Sequence, residues 1–182
     1  MPGQLVCIVG PMFSGKTTAL IDILHGAEKD ASCLVLTHES DNRYTNELVI
    51  CTHGQRKMAA KKVALLADVP QTEIDRHDAV LIDEGHFFTD LVPCADAWAN
   101  AGKRVYVSML KGNFRREPFT NAALMFSIAD RIVDLQTDCR VCGEKGTGCF
   151  TQRTVADDQE LLVGGADIYT TACRRCYFAI HP

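Results

Sequence analysis

At 182 residues, with 47% hydrophobic and 23% charged residues and a formal net charge of −4, the chain has the composition of a folded globular protein that needs no disulfide staples. Residues 130–182 hold six Lys/Arg against eight Asp/Glu, so no domain-wide positive field exists for a phosphodiester backbone, and no nucleic-acid partner is expected. No apolar stretch reaches the roughly 20 residues that span a bilayer, and MPGQLVCIVG lacks the basic start of a secretion signal, so no membrane partner is expected and the expected location is cytoplasmic.

The first predicted element is a strand, QLVCIV at 4–9. It is followed by a helix from Lys16 to Lys29 that places Leu20, Ile23, Leu24 and Ala27 on one face. SCLVLT (32–37) is a second strand and closes a βαβ unit. AVLI (79–82), a helix from about Asp90 to Ala101 stopped by Gly102, and RVYVSM (104–109) continue the alternation, with strands apolar on both faces. The fold class is therefore α/β: a parallel sheet flanked by helices. Beyond about Leu135 come short segments, Cys pairs and glycines, with FTQRTV (150–155) and ELLV (160–163) as strands around a hairpin. A boundary near residue 136 gives a larger unit at 1–136 and a unit at 137–182 too small to fold on its core alone.

Between the first strand and helix lies VGPMFSGKTT, with four residues separating Gly10 from Gly15-Lys16-Thr17. Glycines let main-chain N–H groups converge on one anion, the helix start adds favourable partial charge, Lys16 reaches the β/γ-phosphates, and Thr17 offers a hydroxyl to Mg²⁺. Gly10, Pro11, Met12, Phe13, Ser14, Gly15, Lys16 and Thr17 are thus the expected ATP loop, which makes the α/β sheet one of the P-loop (RecA-like) class and 1–136 the ATP-binding unit. VLIDEGHFF (80–88) ends an apolar run on two adjacent carboxylates, which repel unless a cation or a proton-transfer task separates them. Asp83 is suited to Mg²⁺, and the turn Asp83, Glu84, Gly85 and His86 is expected to face the nucleotide. Glu84 is left to act as a base towards water in an ATPase or towards a hydroxyl in a kinase.

Of the nine cysteines, four form Cys139-x-x-Cys142 and Cys173-x-x-Cys176, a set suited to structural Zn²⁺. Neither pair is predicted to open a helix after a strand, which disfavours a thioredoxin-like dithiol. The 30 residues between Cys142 and Cys173 are expected to project as a loop anchored at both ends. Cys7, Cys33, Cys51, Cys94 and Cys149 are expected to be small buried hydrophobes.

Six segments in this order, GPMFSGKTT (10–18), DNRY (41–44), LIDEGHFF (81–88), NFRREPF (113–119), LLVGGADIY (161–169) and CRRCYF (173–178), make the chain resemble the type II thymidine kinases, the cellular and poxvirus-like family, from about Gln4 to Phe178. The resemblance implies Mg²⁺-dependent transfer of the ATP γ-phosphoryl group to the 5'-hydroxyl of deoxythymidine, and less selectively of deoxyuridine, giving dTMP for DNA synthesis by salvage. It implies that Glu84 accepts the hydroxyl proton and that Asp83 organises the magnesium. Arg43, with Asp41 nearby, would join Lys16 at the phosphates, making Glu84, Lys16 and Arg43 the catalytic set. The thymine would be held by backbone groups of a lasso, Glu160, Leu161, Leu162, Val163 and Gly164, closed by Tyr169. Met12, Phe87, Leu110, Phe114, Phe119 and Thr151 match positions around the nucleoside. Zinc would hold the lasso ends, so its loss is expected to weaken nucleoside binding more than ATP binding.

Feedback by dTTP and a homotetrameric assembly are also implied by the family. The chain departs from the family pattern at His86, where Gln is common, at Lys111, where Asp is common, and after Cys142, where it is longer by about two residues. The tautomer and charge of His86 matter near about pH 6 to 7. A P-loop ATPase and a zinc-ribbon binding module with a nucleotide switch are the alternatives. The lasso and cysteine pairs speak against the first, and the acidic second half against a nucleic-acid-binding form of the second.

Overall fold

Five of the six residues in QLVCIV are buried, and a strand apolar on both faces belongs inside a covered parallel sheet. The computed structural model describes residues 2–41, 49–51, 57–155 and 164–180. In chain order they form β1 (Gln4–Val9), α1 (Lys16–His25), β2 (Cys33–His38), β3 (Val49–Cys51), β4 (Lys57–Ala59), β5 (Lys61–Val63), α2 (Gln71–Asp75), β6 (Ala79–Asp83), α3 (Leu91–Asn100), β7 (Arg104–Met109), α4 (Thr120–Ile128), β8 (Arg131–Asp134), β9 (Phe150–Arg153), β10 (Tyr169–Ala172) and α5 (Arg174–Ile180).

The main sheet has six strands in the order β5-β2-β6-β7-β1-β8, parallel at every pairing. The expected P-loop α/β architecture is present. Side chains alternate between its faces with a period of two. Cys7, Val9, Ile82 and Val107 point to the side covered by Leu91, Ala95 and Trp98 of α3 and by Ala122 and Met125 of α4. Val6, Ile8, Val35, Leu81 and Tyr106 point to the side covered by Leu20 and Ile21 of α1. Both layers therefore rest on strands whose ends converge at the turns after β1 and β6. Among the described residues no helix is long and apolar enough to cross a membrane.

Several expectations are corrected. α1 stops at His25, four residues short of Lys29, because Gly26 closes the last turn by donating its N–H to Asp22 and the chain then leaves the helical path. Ala27, expected on the apolar face, is exposed. The next residue accounts for the change of path: the buried carboxylate of Glu28 reaches β7, accepting from Arg104 Nε at 2.7 Å, Arg104 Nη2 at 2.6 Å and the Tyr106 hydroxyl at 2.8 Å. Of the lone cysteines, Cys7 is fully buried, whereas Cys33, Cys94 and Cys149 are half-buried. Cys33 and Cys94 pack at the rims of the two core layers, and Cys51 falls outside the described side chains. FTQRTV supplies β9 over Phe150–Arg153, but its antiparallel partner is β10, a strand the sequence did not announce. ELLV lies outside the described residues.

Burial alone would raise the pKa of Glu28, but the hydrogen bonds from Arg104 and Tyr106, with the Arg104 charge, outweigh it and hold the carboxyl below its usual 4.5. The Tyr106 phenol is pushed up to about 12 by burial and by that same carboxylate. A depressed carboxyl pKa stabilises the fold above the unfolded value and loses that contribution as pH falls through the folded one. We therefore expect Glu28→Gln to cost about 3 kcal/mol at pH 7 by leaving Arg104 without its countercharge. Urea melts should find the difference between wild type and variant shrinking once the pH drops below 4.5.

Candidate functional site

The turn from β1 into α1 is shaped by what its backbone must do. A Cβ on Gly10 would lie 2.5 Å from Ser14 Oγ and 2.6 Å from the Leu135 carbonyl, so the loop closes only around glycine. Gly15, with φ of 86°, takes the left-handed conformation that glycine adopts without steric cost. Phe13 holds φ of 64° without that freedom. Ser14 Oγ donates to the Pro11 carbonyl at 2.9 Å, and buried Lys16 donates from Nζ to the same oxygen at 2.8 Å. The ammonium thus lies across the loop on a neutral acceptor, which an anionic phosphate oxygen would replace with a stronger bond.

At the end of β6 the two acids have separate settings. Asp83 is 1% exposed; Thr17 Oγ1 donates to its Oδ2 at 3.0 Å and its Oδ1 at 3.3 Å, and the Ser108 hydroxyl also donates to Oδ1. Glu84 is buried too, with φ of 53° and ψ of 43°, and this left-handed residue breaks the strand's alternation. Its Oε2 lies 3.5 Å from His86 Nδ1. Gly85 then lets the chain pass β7, since a Cβ there would sit 2.6 Å from Val107 Cγ1. The Leu110 N–H also lies 3.4 Å from His86 Nδ1, a bond it can donate in the tautomer that carries the ring proton on Nε2. The imidazole lies 4.3 Å from the Phe87 ring and 4.8 Å from Phe119.

The β9–β10 hairpin meets the phosphate loop directly. Met12 donates its N–H to Thr151 Oγ1 at 3.0 Å, and its carbonyl accepts from Thr171 Oγ1 at 2.9 Å. Arg140 packs 3.9 Å above the Phe13 ring. On the same hairpin, buried Arg153 lies 3.7 Å over Phe114 and donates to the Tyr169 hydroxyl at 3.0 Å, while the Tyr177 hydroxyl donates to the Phe114 carbonyl at 2.6 Å. Gly164 abuts Ile168, whose Cδ1 would be 2.3 Å from an added Cβ, so close packing explains this glycine.

The structure therefore brings the predicted residues into three groups: Phe87, Leu110 and Phe119 with His86; Met12 with Thr151; and Phe114 with Tyr169. Arg43 and the lasso residues Glu160, Leu161, Leu162 and Val163 lie outside the described residues. Asp41 is described, and Lys62 donates to its carbonyl at 3.0 Å. Ser108, Arg140, Arg153 and Thr171 were not singled out in the sequence. A serine inside the apolar run RVYVSM was the one usable signal, since a buried hydroxyl there needs a partner.

The four paired cysteines converge, with every Sγ within 4.8 Å of the others and Cys142 4.0 Å from Cys173. Four sulfurs about 2.3 Å from one Zn²⁺ stand about 3.8 Å apart, so the set fits zinc with small adjustments. Burial raises the Cys139 thiol, but the N–H groups of Cys142, Cys173 and Val141 outweigh it and bring the pKa down to about 6. Cys176 is driven up to about 12 by burial and by the neighbouring thiols. Four thiolates so close repel one another, and a divalent cation removes the conflict. The expectation that neither pair opens a helix fails at the second: Cys173 follows β10 directly and Cys176 lies in the first turn of α5. The pair is nonetheless met by two further thiols, which a redox dithiol is not. Cys149 is not one of the four.

A family model described as thymidine kinase matches residues 3–177. The chain is 39% identical to the cytosolic thymidine kinase of Homo sapiens over 178 residues, covering 97% of this chain and 74% of that one. It is 37% identical to the thymidine kinase of Myxoma virus (strain Uriarra) over 97% of each chain. With thymidine kinase 1 of Dictyostelium discoideum it shares 36% identity over 96% of this chain and 78% of the other.

The cysteine geometry predicts one zinc per chain by elemental analysis, lost when Cys173 and Cys176 are both changed to Ser. Because Met12 is held on both sides by the hairpin, chelation is expected to weaken nucleotide binding severalfold as well as nucleoside binding. Calorimetry on the stripped protein checks this, and intact affinity for both would uncouple the cysteines from the site.

Proposed function

The chain belongs to the thymidine kinase family, and from that premise we propose that it transfers the γ-phosphoryl group of ATP to the 5'-hydroxyl of thymidine, giving dTMP, with deoxyuridine as a poorer acceptor. The observation that carries the reading is the division of labour at the end of β6. Asp83 is committed to the hydroxyls of Thr17 and Ser108, while Glu84 is turned towards His86 and its aromatic neighbours. Two carboxylates with one environment would compete for the same task, whereas these two are set up for different ones.

In this reading the main-chain N–H groups of residues 13–17 and the Lys16 ammonium receive the triphosphate. Thr17 and Asp83 hold Mg²⁺, which when bound offsets charge on the β- and γ-phosphates. Their fit is supported by two oxygen donors 3.0 Å apart where the loop meets β6. The Glu84 carboxylate takes the proton of the 5'-hydroxyl as that oxygen bonds to the γ-phosphorus. The bond from phosphorus to the β,γ-bridging oxygen breaks, and ADP leaves. Since phosphoryl transfer needs little covalent help, the protein's contribution is positioning and charge. Water in place of the sugar hydroxyl would make the same machinery an ATPase, and family membership favours the alcohol.

Met12, Phe87, Leu110, Phe114, Phe119, Thr151, Gly164 and Tyr169 are proposed to surround the nucleoside, with the backbone of residues 160–163 reading the base and Arg43 facing the phosphates. A zinc-held unit at 137–182 is supported by a small core of its own, in which Cys139, Ala172, Cys173, Cys176 and Tyr177 pack together. Feedback by dTTP, a homotetrameric assembly and a cytoplasmic setting are proposed on family membership alone.

A panel of deoxynucleosides, assayed with Mg²⁺ and ATP for ADP release, tests the reading. Thymidine should drive release. Glu84→Gln should lower turnover by at least about 100-fold with ATP affinity little changed, as expected for loss of a general base. Lys16→Met should abolish transfer. ADP release that ignores the nucleoside would instead identify an ATPase.

A further inference from the structure

The strand register lines up three buried polar residues in one row. Thr37 of β2 pairs with Asp83 of β6, and the pairing of Ile82 with Val107 sets Ser108 of β7 on the other side of Asp83. All three point to the α1 face, because Val35, Leu81 and Tyr106, two residues earlier on each strand, belong to the core beneath α1. Thr17, in the first turn of α1, closes over that row by its bonds to Asp83. The row is dry: Thr37 is 2%, Asp83 1% and Ser108 0% exposed.

Each hydroxyl in this row needs a reason, since an alanine or valine would pack there without desolvation cost. Ser108 has one, because it donates to Asp83 Oδ1. Thr37 has none among the described residues, where its Oγ1 is buried without a hydrogen-bond partner. It sits beside the acid that the proposed function assigns to magnesium, on the side away from Ser108.

We propose that Ser108 is a positioning residue that fixes the Asp83 carboxylate for the divalent cation, and that the Thr37 hydroxyl takes up a water of that cation's hydration shell. The inference rests on the reading of Asp83 as the magnesium-organising acid. Thr17 holds Asp83 from the loop side, but its hydroxyl is also the group that a cation would recruit. Once it turns away, Ser108 keeps Oδ1 and leaves Oδ2 facing the loop. Oxygen-bound cations depend on such outer partners, whose removal costs about 10- to 100-fold in metal affinity.

The test is Mn²⁺ titration of the full chain with a non-hydrolysable ATP analogue, read by electron paramagnetic resonance, alongside binding of the analogue without metal. In Ser108→Ala the Mn²⁺ dissociation constant should rise about 10-fold or more, with metal-free nucleotide affinity unchanged. Ser108→Thr, which keeps the hydroxyl, should lose less. An unchanged Mn²⁺ affinity in Ser108→Ala, equal losses in the two variants, or a matching loss of metal-free nucleotide binding overturns the assignment. Thr37→Val should raise the melting temperature by removing an orphaned hydroxyl and yet weaken Mn²⁺ binding, a combination that a packing role does not give. A higher melting temperature with wild-type Mn²⁺ affinity overturns the part given to Thr37. Asp83→Asn separates the levels: if it keeps wild-type Mn²⁺ affinity, the reading of Asp83 itself falls and the inference with it.

Discussion

A carboxylate buried at the end of a central strand is the constraint around which this molecule is arranged. Asp83 lies at 1% exposure, and a charge so placed must find partners or be neutralised. Its partners come from two other elements, Thr17 on α1 and Ser108 on β7, so one side chain ties the phosphate loop to the middle of the sheet. That tie depends on topology. β6 lies between β2 and β7, with β1 beyond β7, and all point the same way, so their C-terminal ends and the loop after β1 meet on one edge. The hydrophobic layers above and below fix the register that puts the acid in that place.

The small C-terminal part is bound into the same edge. Met12 uses both of its main-chain polar groups on the β9–β10 hairpin, and the ring of the following residue, Phe13, stacks beneath Arg140, two residues before Cys142. Arg140 in turn donates its N–H to the Thr171 carbonyl, so hairpin, cysteine cluster and loop form one connected set. A metal that fixes the two cysteine pairs would therefore stiffen the loop proposed to receive phosphates. In the proposed reading, the nucleoside side and the nucleotide side of the site share their backbone support at Met12.

Much of this was legible in the sequence, and the remainder was hidden for identifiable reasons. The apolar strands and the spacing of Gly10, Gly15, Lys16 and Thr17 announce the sheet and the loop because each position has one steric or electrostatic solution. The end of α1 was misjudged because the apolar periodicity of Leu20, Ile23, Leu24 and Ala27 continues past Gly26, while the deciding interaction, Glu28 with Arg104, spans 76 residues. β10 escaped because YTTA carries no alternation to separate it from a loop, and its partner β9 lies 16 to 22 residues earlier in the chain. Of the partners of Asp83, Thr17 was placed with it through the magnesium both are suited to, whereas Ser108 could not be assigned, since a serine in a strand names no acceptor until the register is known.

Backbone conformation supplies the last link between sequence and chemistry. Three non-glycine residues among those described hold positive φ: Phe13, Glu84 and Arg116. Each such residue costs of order 1 kcal/mol and persists only where surrounding contacts over-determine it. Phe13 lies in the phosphate loop, its ring covered by Arg140, and Arg116 closes the turn after Phe114 with its guanidinium 4.3 Å from the Phe178 ring. Glu84 is held by a different means, because Gly85 admits the close pass by Val107 that a side chain would block. Had Glu84 kept the extended conformation of β6, its side chain would have pointed to the sheet face opposite Asp83, into the layer occupied by Ile82 and Val107. The left-handed turn brings it out beside His86, where one acid can serve a cation and the next can serve a proton. Strain at one residue is thus what gives two adjacent charges separate surroundings, the condition for the separate roles proposed for them.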